Sequence, residues 1–217
     1  MDLKGLKINF IGDSITEGYG TSGEKCRFSD VLEDKYGVIS RNYGICGTRF
    51  AIQTSPSNDP MYDKDFVSRV DEMDLDCDVV IVFGGTNDYG HGDAPLGDVS
   101  DRTQFTFCGA MHALCEKLIN RYPGSKIIFI TPLHRCDEEQ YKQEKGGKVF
   151  RSLKHYVDVI REIAEYYSLP VLDLYSTYGI QPKVAVLREK YVPDGLHPND
   201  EGHKILAEKI AAFLKAI

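Results

Sequence analysis

The sequence predicts an α/β protein in which one parallel β-sheet carries helices on both faces. Apolar segments rich in β-branched residues alternate five times with segments of helical period along the 217 residues. The run DVVIVFGG, residues 78–85, is continuously apolar, as expected of a strand that is buried on both faces. No Pro/Ser-rich linker, repeat or low-complexity tract divides the chain, so a single domain over residues 1–217 is expected.

The first half of the chain is predicted to contain three strands and two helices. LKINFIG, residues 6–12, is the first strand, and FSDVLEDKYG, residues 28–37, is a short helix that its final glycine ends. ISRNYG, residues 39–44, indicates a second, weaker strand. FVSRVDEM, residues 66–73, has apolar side chains three or four positions apart and is predicted to be helical. The buried run at 78–85 is the third strand.

The second half continues the same alternation. A long helix is predicted over residues 103–121, because apolar residues recur every three or four positions and a Pro-Gly pair follows. KIIFITP, residues 126–132, is the fourth strand, and a helix over residues 149–167 follows a polar loop. LPVLDLY, residues 169–175, is the fifth strand, and residues 199–217 form an amphipathic final helix.

Charge and hydropathy exclude several classes of protein. The formal net charge is −7 and no basic stripe is present, which argues against a nucleic-acid partner. No segment approaches the roughly 18 apolar residues of a membrane span. The start, MDLKGLKINFIGDS, lacks the apolar core and cleavage site of a signal peptide, so a cytoplasmic location is expected unless a leader has been removed.

The cysteines and acidic residues give no sign of a metal or a disulfide framework. The six cysteines are scattered without CxxC or zinc-type spacing, which favours reduced and mostly buried thiols. The acidic residues do not cluster as metal ligands do. Neither a metal nor a cofactor is expected, and the sequence does not determine the oligomeric state.

The segments that follow the strands are the place to look for a site. In open α/β sheets, ligands bind beyond the carboxyl ends of the strands. Glycines and polar residues accumulate there in GDSITEGYG, GICGTR, GGTNDYGHGD and TPLHRCDEE. The first segment allows two interpretations, a backbone cradle for a phosphate or an exposed nucleophile at Ser14.

A base for such a nucleophile is available near the end of the chain. VPDGLHPND places Asp194 and His197 three residues apart, and in a tight turn the carboxylate can orient the imidazole. Asp-Gly and His-Pro pairs are also typical of ordinary turns, so the spacing by itself leaves both interpretations open. Donors for an oxyanion are available at Gly44, Gly47 and Asn87, although each is also a common turn residue.

Four segments in order, GDSITEG, NYGICG, GGTND and DGLHP, resemble the four blocks of the SGNH (GDSL-type) hydrolases, and the resemblance extends from Ile11 to His203. It implies a flavodoxin-like three-layer α/β/α sandwich with a five-stranded parallel sheet. It also implies a GDSL-type esterase, a carboxylic ester hydrolase that needs no cofactor. Ser14 would be the nucleophile, His197 the general base and then acid, and Asp194 the residue that orients His197.

The resemblance further implies an oxyanion hole. Its donors would be the backbone N–H groups of Ser14 and Gly47 and the side-chain amide of Asn87. Gly47 is preferred to Gly44 because the donor in this family is usually the later glycine, and Gly44 is kept as the alternative. A phosphate cradle would need a denser run of Ser, Thr and Gly donors, and it would give the Asp-x-x-His pair no role.

The function implied is hydrolysis of small, short-chain acyl esters, such as acetylated sugars, through an acyl-enzyme intermediate. The chain has no large apolar insertion for a long acyl chain. A thioesterase or lysophospholipase of the same family is the alternative within enzymes. A flavodoxin-like module that binds a nucleotide or flavin, without hydrolase activity, is the alternative of another class.

Several other residues are candidates for weaker roles. His91, His134 and Arg135 lie in segments that follow strands and are candidate substrate contacts. The charged stretch CDEEQYKQEKGGK, residues 136–148, is placed where a lid would be. The three remaining histidines fall in predicted helices, where surface or packing roles are expected: His112, His155 and His203.

Overall fold

The computed structural model describes residues 2–140 and 151–217. Five strands form one sheet in which every neighbouring pair is parallel, in the order β2-β1-β3-β4-β5. The strands are β1 (Lys7–Gly12), β2 (Ile39–Gly44), β3 (Val79–Phe83), β4 (Lys126–Ile130) and β5 (Val171–Leu172). This is the flavodoxin-like order of a doubly wound sheet. The predicted fold class is confirmed.

Helices connect the strands and close the chain. In order they are α1 (Ser14–Glu17), α2 (Phe28–Tyr36), α3 (Phe66–Arg69), α4 (Thr86–Gly90), α5 (Phe107–Arg121), α6 (Leu153–Tyr166), α7 (Leu174–Thr177), α8 (Ala185–Tyr191) and α9 (Asp200–Ala216). Short 3₁₀ turns lie at Glu24–Cys26, Pro60–Asp63 and Val70–Glu72. Among the helices in residues 2–140 and 151–217, none combines the length and apolar character that a membrane span requires.

The sheet separates two hydrophobic cores. Alternate side chains of β3 point to opposite faces, so Val80 and Val82 join one core and Val79 and Ile81 join the other. The first core packs the sheet against α3, α5 and α6, and the second packs it against α2 and α9. Burial on both faces explains why the third strand is apolar throughout.

The predicted elements are present, with shifted ends. The helix predicted over residues 103–121 begins at Phe107, because the Thr106 side chain accepts a hydrogen bond from the Gly109 N–H at 3.1 Å and caps it. The fifth strand has only two residues, because Asp173 leaves the sheet and caps α7. The predicted helix over residues 66–73 is α3 followed by a 3₁₀ turn.

Some expectations were incomplete or cannot be followed in the structure. The short helices α1, α4, α7 and α8 were not predicted. The six cysteines form no disulfide, but only Cys108 and Cys115 are buried and Cys136 is exposed, so the expectation of mostly buried thiols is only partly right. Of the candidate lid at 136–148, residues 141–148 lie outside the described residues.

His203 is a packing residue in the second core. Of the two roles expected for it, surface or packing, the structure shows packing. Its ring stacks on Phe28 with 5.8 Å between centroids. Its Nδ1 accepts a hydrogen bond from the Phe28 N–H at 3.1 Å, which satisfies the first turn of α2. Burial lowers the pKa of His203 to about 4. The ring therefore joins α9 to α2 in its neutral form, and protonation of His203 is unfavourable in the folded protein.

The lowered pKa of His203 predicts that the protein loses stability at acidic pH. The pKa of His203 in the folded state lies below its ordinary value near 6.5. The stabilising contribution of the neutral ring is therefore fully present above pH 6.5 and is lost as the pH falls towards 4. The contribution is about 3 kcal/mol of unfolding free energy. His203→Asn keeps an acceptor for the Phe28 N–H and should weaken this dependence. Urea unfolding at several pH values measures it, with the half-exposed His155→Asn as control, and parallel wild-type and His203→Asn curves would contradict the prediction.

Candidate active site

Ser14 lies directly beyond the carboxyl end of β1, the strand between β2 and β3. It is the first residue of α1, and the residue as a whole is only 6% exposed. Asp13 caps this helix by accepting a hydrogen bond from the Ile15 N–H at 3.0 Å. Burial raises the pKa of Asp13 to about 7, and the Ile15 N–H and the nearby Arg69 lower it in part.

Asp194 and His197 form a tight turn between α8 and α9. The Asp194 Oδ1 atom accepts hydrogen bonds from the Leu196 N–H at 2.9 Å and the His197 N–H at 2.7 Å. Its Oδ2 atom lies 2.6 Å from the His197 Nδ1. Gly195 adopts a φ of +81°, which lets the chain turn back within three residues. The spacing of three thus places the carboxylate against its own histidine.

The same histidine reaches Ser14. Its Nε2 atom lies 3.0 Å from the Ser14 Oγ. Because the Asp194 carboxylate accepts from Nδ1–H, the Nε2 atom is the acceptor that faces the serine hydroxyl. Partial burial raises the pKa of Asp194, but hydrogen bonds from the side chain and backbone of His197 and from the Leu196 N–H outweigh it and hold the pKa below its ordinary value. The carboxylate is therefore charged at neutral pH.

The segment that follows Ser14 also contacts the segment that carries His197. The Tyr19 ring packs on the His197 ring with 4.5 Å between centroids. Asp200, at the start of α9, accepts hydrogen bonds from the backbone N–H and the hydroxyl of Ser22 at 2.8 and 2.7 Å. The segment after α1 is thus fastened to the turn that carries His197.

The glycines after β2 have different environments. The Gly44 N–H donates to the Asn42 Oδ1 at 2.9 Å, and a Cβ at Gly44 would lie 2.1 Å from the Glu17 backbone nitrogen. Gly47 has a φ of +74°, a conformation that favours glycine, and a Cβ there would crowd the Tyr62 ring at 3.2 Å. In the described part of the chain, no group accepts a hydrogen bond from the Gly47 N–H.

Asn87 lies in α4, just beyond the end of β3, and is only 4% exposed. Its Nδ2 atom donates to the Thr48 carbonyl at 3.1 Å, and its Oδ1 atom lies 3.1 Å from the His91 Nε2. The neighbouring Asp88 accepts hydrogen bonds from two backbone N–H groups of the loop after β2, those of Phe50 at 3.0 Å and Ala51 at 3.1 Å. The segments that carry Asn87 and Gly47 are therefore joined.

A buried arginine fastens the strand ends beneath these loops. Arg69 in α3 donates to the carbonyls of Tyr43 at 2.8 Å and Gly12 at 3.1 Å, and to the Thr48 hydroxyl at 3.1 Å. These acceptors belong to the ends of β2 and β1 and to the loop that follows β2. The three bonds hold the backbone on which the candidate site is built.

Five of the predicted residues line one cavity of about 280 Å³. The lining residues come from the segments that follow β1, β2 and β3 and from the turn before α9: Ser14, Tyr19, Cys46, Gly47, Tyr62, Asn87, His91, Leu196 and His197. The volume is near the lower limit for small-molecule sites, so the cavity accommodates a small group. Gly44 does not line it.

Sequence reasoning missed four of these lining residues. Tyr19, Cys46 and Leu196 belong to segments that were singled out, but none of them was assigned a role. Tyr62 lies outside those segments. Burial, followed by a hydrogen bond to the Glu17 side chain, raises the pKa of Cys46 to about 12. This thiol therefore stays protonated and does not compete with Ser14 as a nucleophile.

Two of the candidate substrate contacts lie away from the cavity. The His134 Nδ1 lies 2.8 Å from the Glu138 Oε2, and its ring packs on Tyr175. Arg135 donates to the carbonyl and the hydroxyl of Thr86, each at 3.1 Å, and so holds the first turn of α4. Both side chains are occupied by protein partners. Their loop follows β4, which is not adjacent to β1. His91 does line the cavity.

A family model described as the GDSL-like Lipase/Acylhydrolase family matches residues 10–205. The chain belongs to this family. The resemblance to the SGNH (GDSL-type) hydrolases is confirmed, and so, at the level of the family, is the predicted class of carboxylic ester hydrolase. The family assignment favours an enzyme over a module that only binds a flavin or nucleotide.

Three individual proteins are similar to this chain over most of its length. An acetylxylan esterase of Xylanibacter ruminicola is 26% identical over 230 residues, which cover 97% of this chain and 43% of that protein. The chain thus spans less than half the length of this relative. A crystal structure of a protein from Lactobacillus plantarum is 30% identical, with a TM-score of 0.81 and 98% of each chain covered. Another solved structure is 32% identical, with a TM-score of 0.85, and the match covers 100% of this chain and 99% of that one.

Proposed function

We propose that this GDSL-like protein is a serine esterase that hydrolyses small, short-chain acyl esters, such as acetylated sugars, through an acyl-enzyme intermediate. The observation that carries the proposal is the continuous hydrogen-bonded line from Asp194 through His197 to Ser14. This line ends at a cavity wall that also contains Gly47 and Asn87. A nucleophile, a base and a group that orients the base are the parts that acyl transfer requires.

In the acylation step, the His197 Nε2 accepts the proton of the Ser14 hydroxyl while Oγ attacks the carbonyl carbon of the ester. The 3.0 Å separation is within hydrogen-bond reach for this transfer. The charged Asp194 carboxylate stabilises the imidazolium that forms and keeps its ring orientation. The imidazolium then gives its proton to the leaving alcohol, and the acyl group stays on Ser14.

Three donors would stabilise the oxyanion of the tetrahedral intermediate. They are the backbone N–H groups of Ser14 and Gly47, which have no acceptor within the described ranges, and the amide of Asn87. One Asn87 Nδ2 hydrogen is used by the Thr48 carbonyl, which leaves the second for substrate. The Gly44 N–H already donates to Asn42, so Gly47 is the better donor of the two glycines.

Deacylation reverses these roles. A water molecule in the place of the alcohol gives a proton to the His197 Nε2 and attacks the acyl carbon. The same donors hold the second oxyanion, and the proton passes from His197 to the Ser14 oxygen as the acid leaves. One histidine therefore serves both half-reactions.

The size of the cavity supports a short acyl chain. About 280 Å³ walled by Tyr19, Tyr62 and Leu196 suits an acetyl group better than a fatty acyl chain. The relative from Xylanibacter ruminicola is an acetylxylan esterase, which supports acetylated carbohydrate as the substrate class. Since this chain spans 43% of that relative, the carbohydrate preference is part of the proposal.

A panel of esters tests the proposal. Acetyl, butyryl and octanoyl esters of one chromogenic alcohol, an acetyl thioester and a lysophospholipid should be hydrolysed with kcat/KM greatest for the acetyl ester. Ser14→Ala should reduce kcat/KM by at least about 10³-fold. The exposed Ser68→Ala serves as the matched control and should not change it. A preference for the octanoyl ester or lysophospholipid would overturn the substrate class, and full activity in Ser14→Ala would overturn the nucleophile.

The oxyanion hole predicts a distinct kinetic signature. Asn87→Ala should lower kcat by about 10²–10³-fold with a small change in KM, because the lost hydrogen bond strengthens only in the transition state. The exposed Asn120→Ala on α5 is the matched control, and urea unfolding checks the fold of both variants. An unchanged kcat in Asn87→Ala would return GGTND to a turn without a chemical role.

A further inference from the structure

A line of hydrogen bonds leads from a buried arginine to the amide of Asn87. Arg49, in the loop after β2, is only 5% exposed, and its Nη1 atom lies 3.2 Å from the His91 Nδ1. The His91 Nε2 lies 3.1 Å from the Asn87 Oδ1. On its other side, the Asn87 Nδ2 donates to the Thr48 carbonyl at 3.1 Å. The cavity-facing amide is thus held at both of its polar atoms.

The chemistry of the arginine sets the direction of every bond in this line. A guanidinium can only donate, so the His91 Nδ1 must be the acceptor. A neutral imidazole that accepts at Nδ1 carries its hydrogen on Nε2, and this hydrogen is therefore donated to the Asn87 Oδ1. Arg49 selects the tautomer of His91, and His91 selects the orientation of the amide.

The alternative orientation of the amide is disfavoured at both atoms. If the amide were rotated by half a turn, its oxygen would face the Thr48 carbonyl oxygen, and its NH₂ group would face the His91 Nε2–H. The cavity would then meet an acceptor where an oxyanion needs a donor. The positive guanidinium at the far end also polarises the chain towards Asn87, since linked hydrogen bonds strengthen one another.

Arg49 is anchored on the side away from His91. Its Nη2 atom donates to the Ser57 hydroxyl at 3.2 Å, the Tyr62 carbonyl at 3.0 Å and the Asp63 Oδ1 at 3.2 Å. Asp63 also accepts from the Ser57 N–H, which closes the loop around the guanidinium. The arginine is therefore fixed by the segment that carries Tyr62 and presents its Nη1 to His91.

We infer that His91 is a positioning residue that holds the Asn87 amide with its NH₂ group towards the cavity, and that Arg49 sets the tautomer required. The inference rests on the proposed function, in which Asn87 is an oxyanion donor. It differs from the expectation that His91 contacts substrate. A substrate contact acts on KM, whereas an amide held for the transition state acts on kcat.

Two substitutions of equal size separate these roles. The side chain of His91→Gln can accept from Arg49 through its oxygen and donate to Asn87 through its nitrogen. His91→Glu offers only acceptors, pairs with Arg49 and faces the Asn87 Oδ1 with a second oxygen. We expect His91→Glu to lower kcat by about 10²-fold at nearly constant KM, and His91→Gln to keep kcat within about fivefold of wild type.

A double variant and a stability measurement complete the test. In the Asn87→Ala background, His91→Glu should cost little more, because groups that act as one unit are not additive. Since His91 is exposed, both variants should fold, and urea unfolding midpoints verify it. Equal kcat values in His91→Glu and His91→Gln, or an effect on KM alone, would overturn the inference. If kcat is low in Asn87→Ala in that case, the proposed function still stands. An unchanged kcat in Asn87→Ala would instead remove the premise and overturn both.

Discussion

The candidate site depends on the hydrogen bonds that the carboxylate of Asp194 accepts. It accepts three hydrogen bonds within four residues, from the Leu196 N–H, the His197 N–H and the His197 Nδ1. The first two fix the turn, and the third fixes the ring and its tautomer. One ionised group thus shapes the loop and aims the Nε2 atom at Ser14, which is 183 residues away in the chain.

The order of the strands explains why three distant segments meet at Ser14. β1 lies between β2 and β3, so the loops that begin at Gly12, Gly44 and Phe83 leave the same edge of the sheet side by side. Ser14 follows β1, and the candidate donors Gly47 and Asn87 follow its two neighbours, β2 and β3. Side-chain hydrogen bonds from Asp88 and Arg69 then tie these loops to one another, so the candidate donors are held in place by the protein itself.

The sequence was informative where burial imposes a period and where a motif has fixed spacing. Apolar runs located four of the five strands, and the polar segment ISRNYG gave only a weak signal for the second. Asp194 and His197 could be paired because they lie three residues apart and a tight turn can join them. Arg49 escaped notice because a buried arginine looks like a surface one until its partners are known. Arg135 was assigned to substrate because it follows a strand, but that rule does not say which strand ends meet. The short helix α4 has no apolar period to reveal it.

In the proposed mechanism, Ser14 carries the acyl group during turnover. Acid-quenched samples taken in the pre-steady-state phase with a chromogenic acetyl ester can be digested and examined by mass spectrometry. The proposed mechanism predicts one acetyl group on the peptide that contains Ser14, formed at the same rate as the first release of alcohol. An acetyl group on another side chain, or a burst of alcohol with Ser14 unmodified, would contradict it.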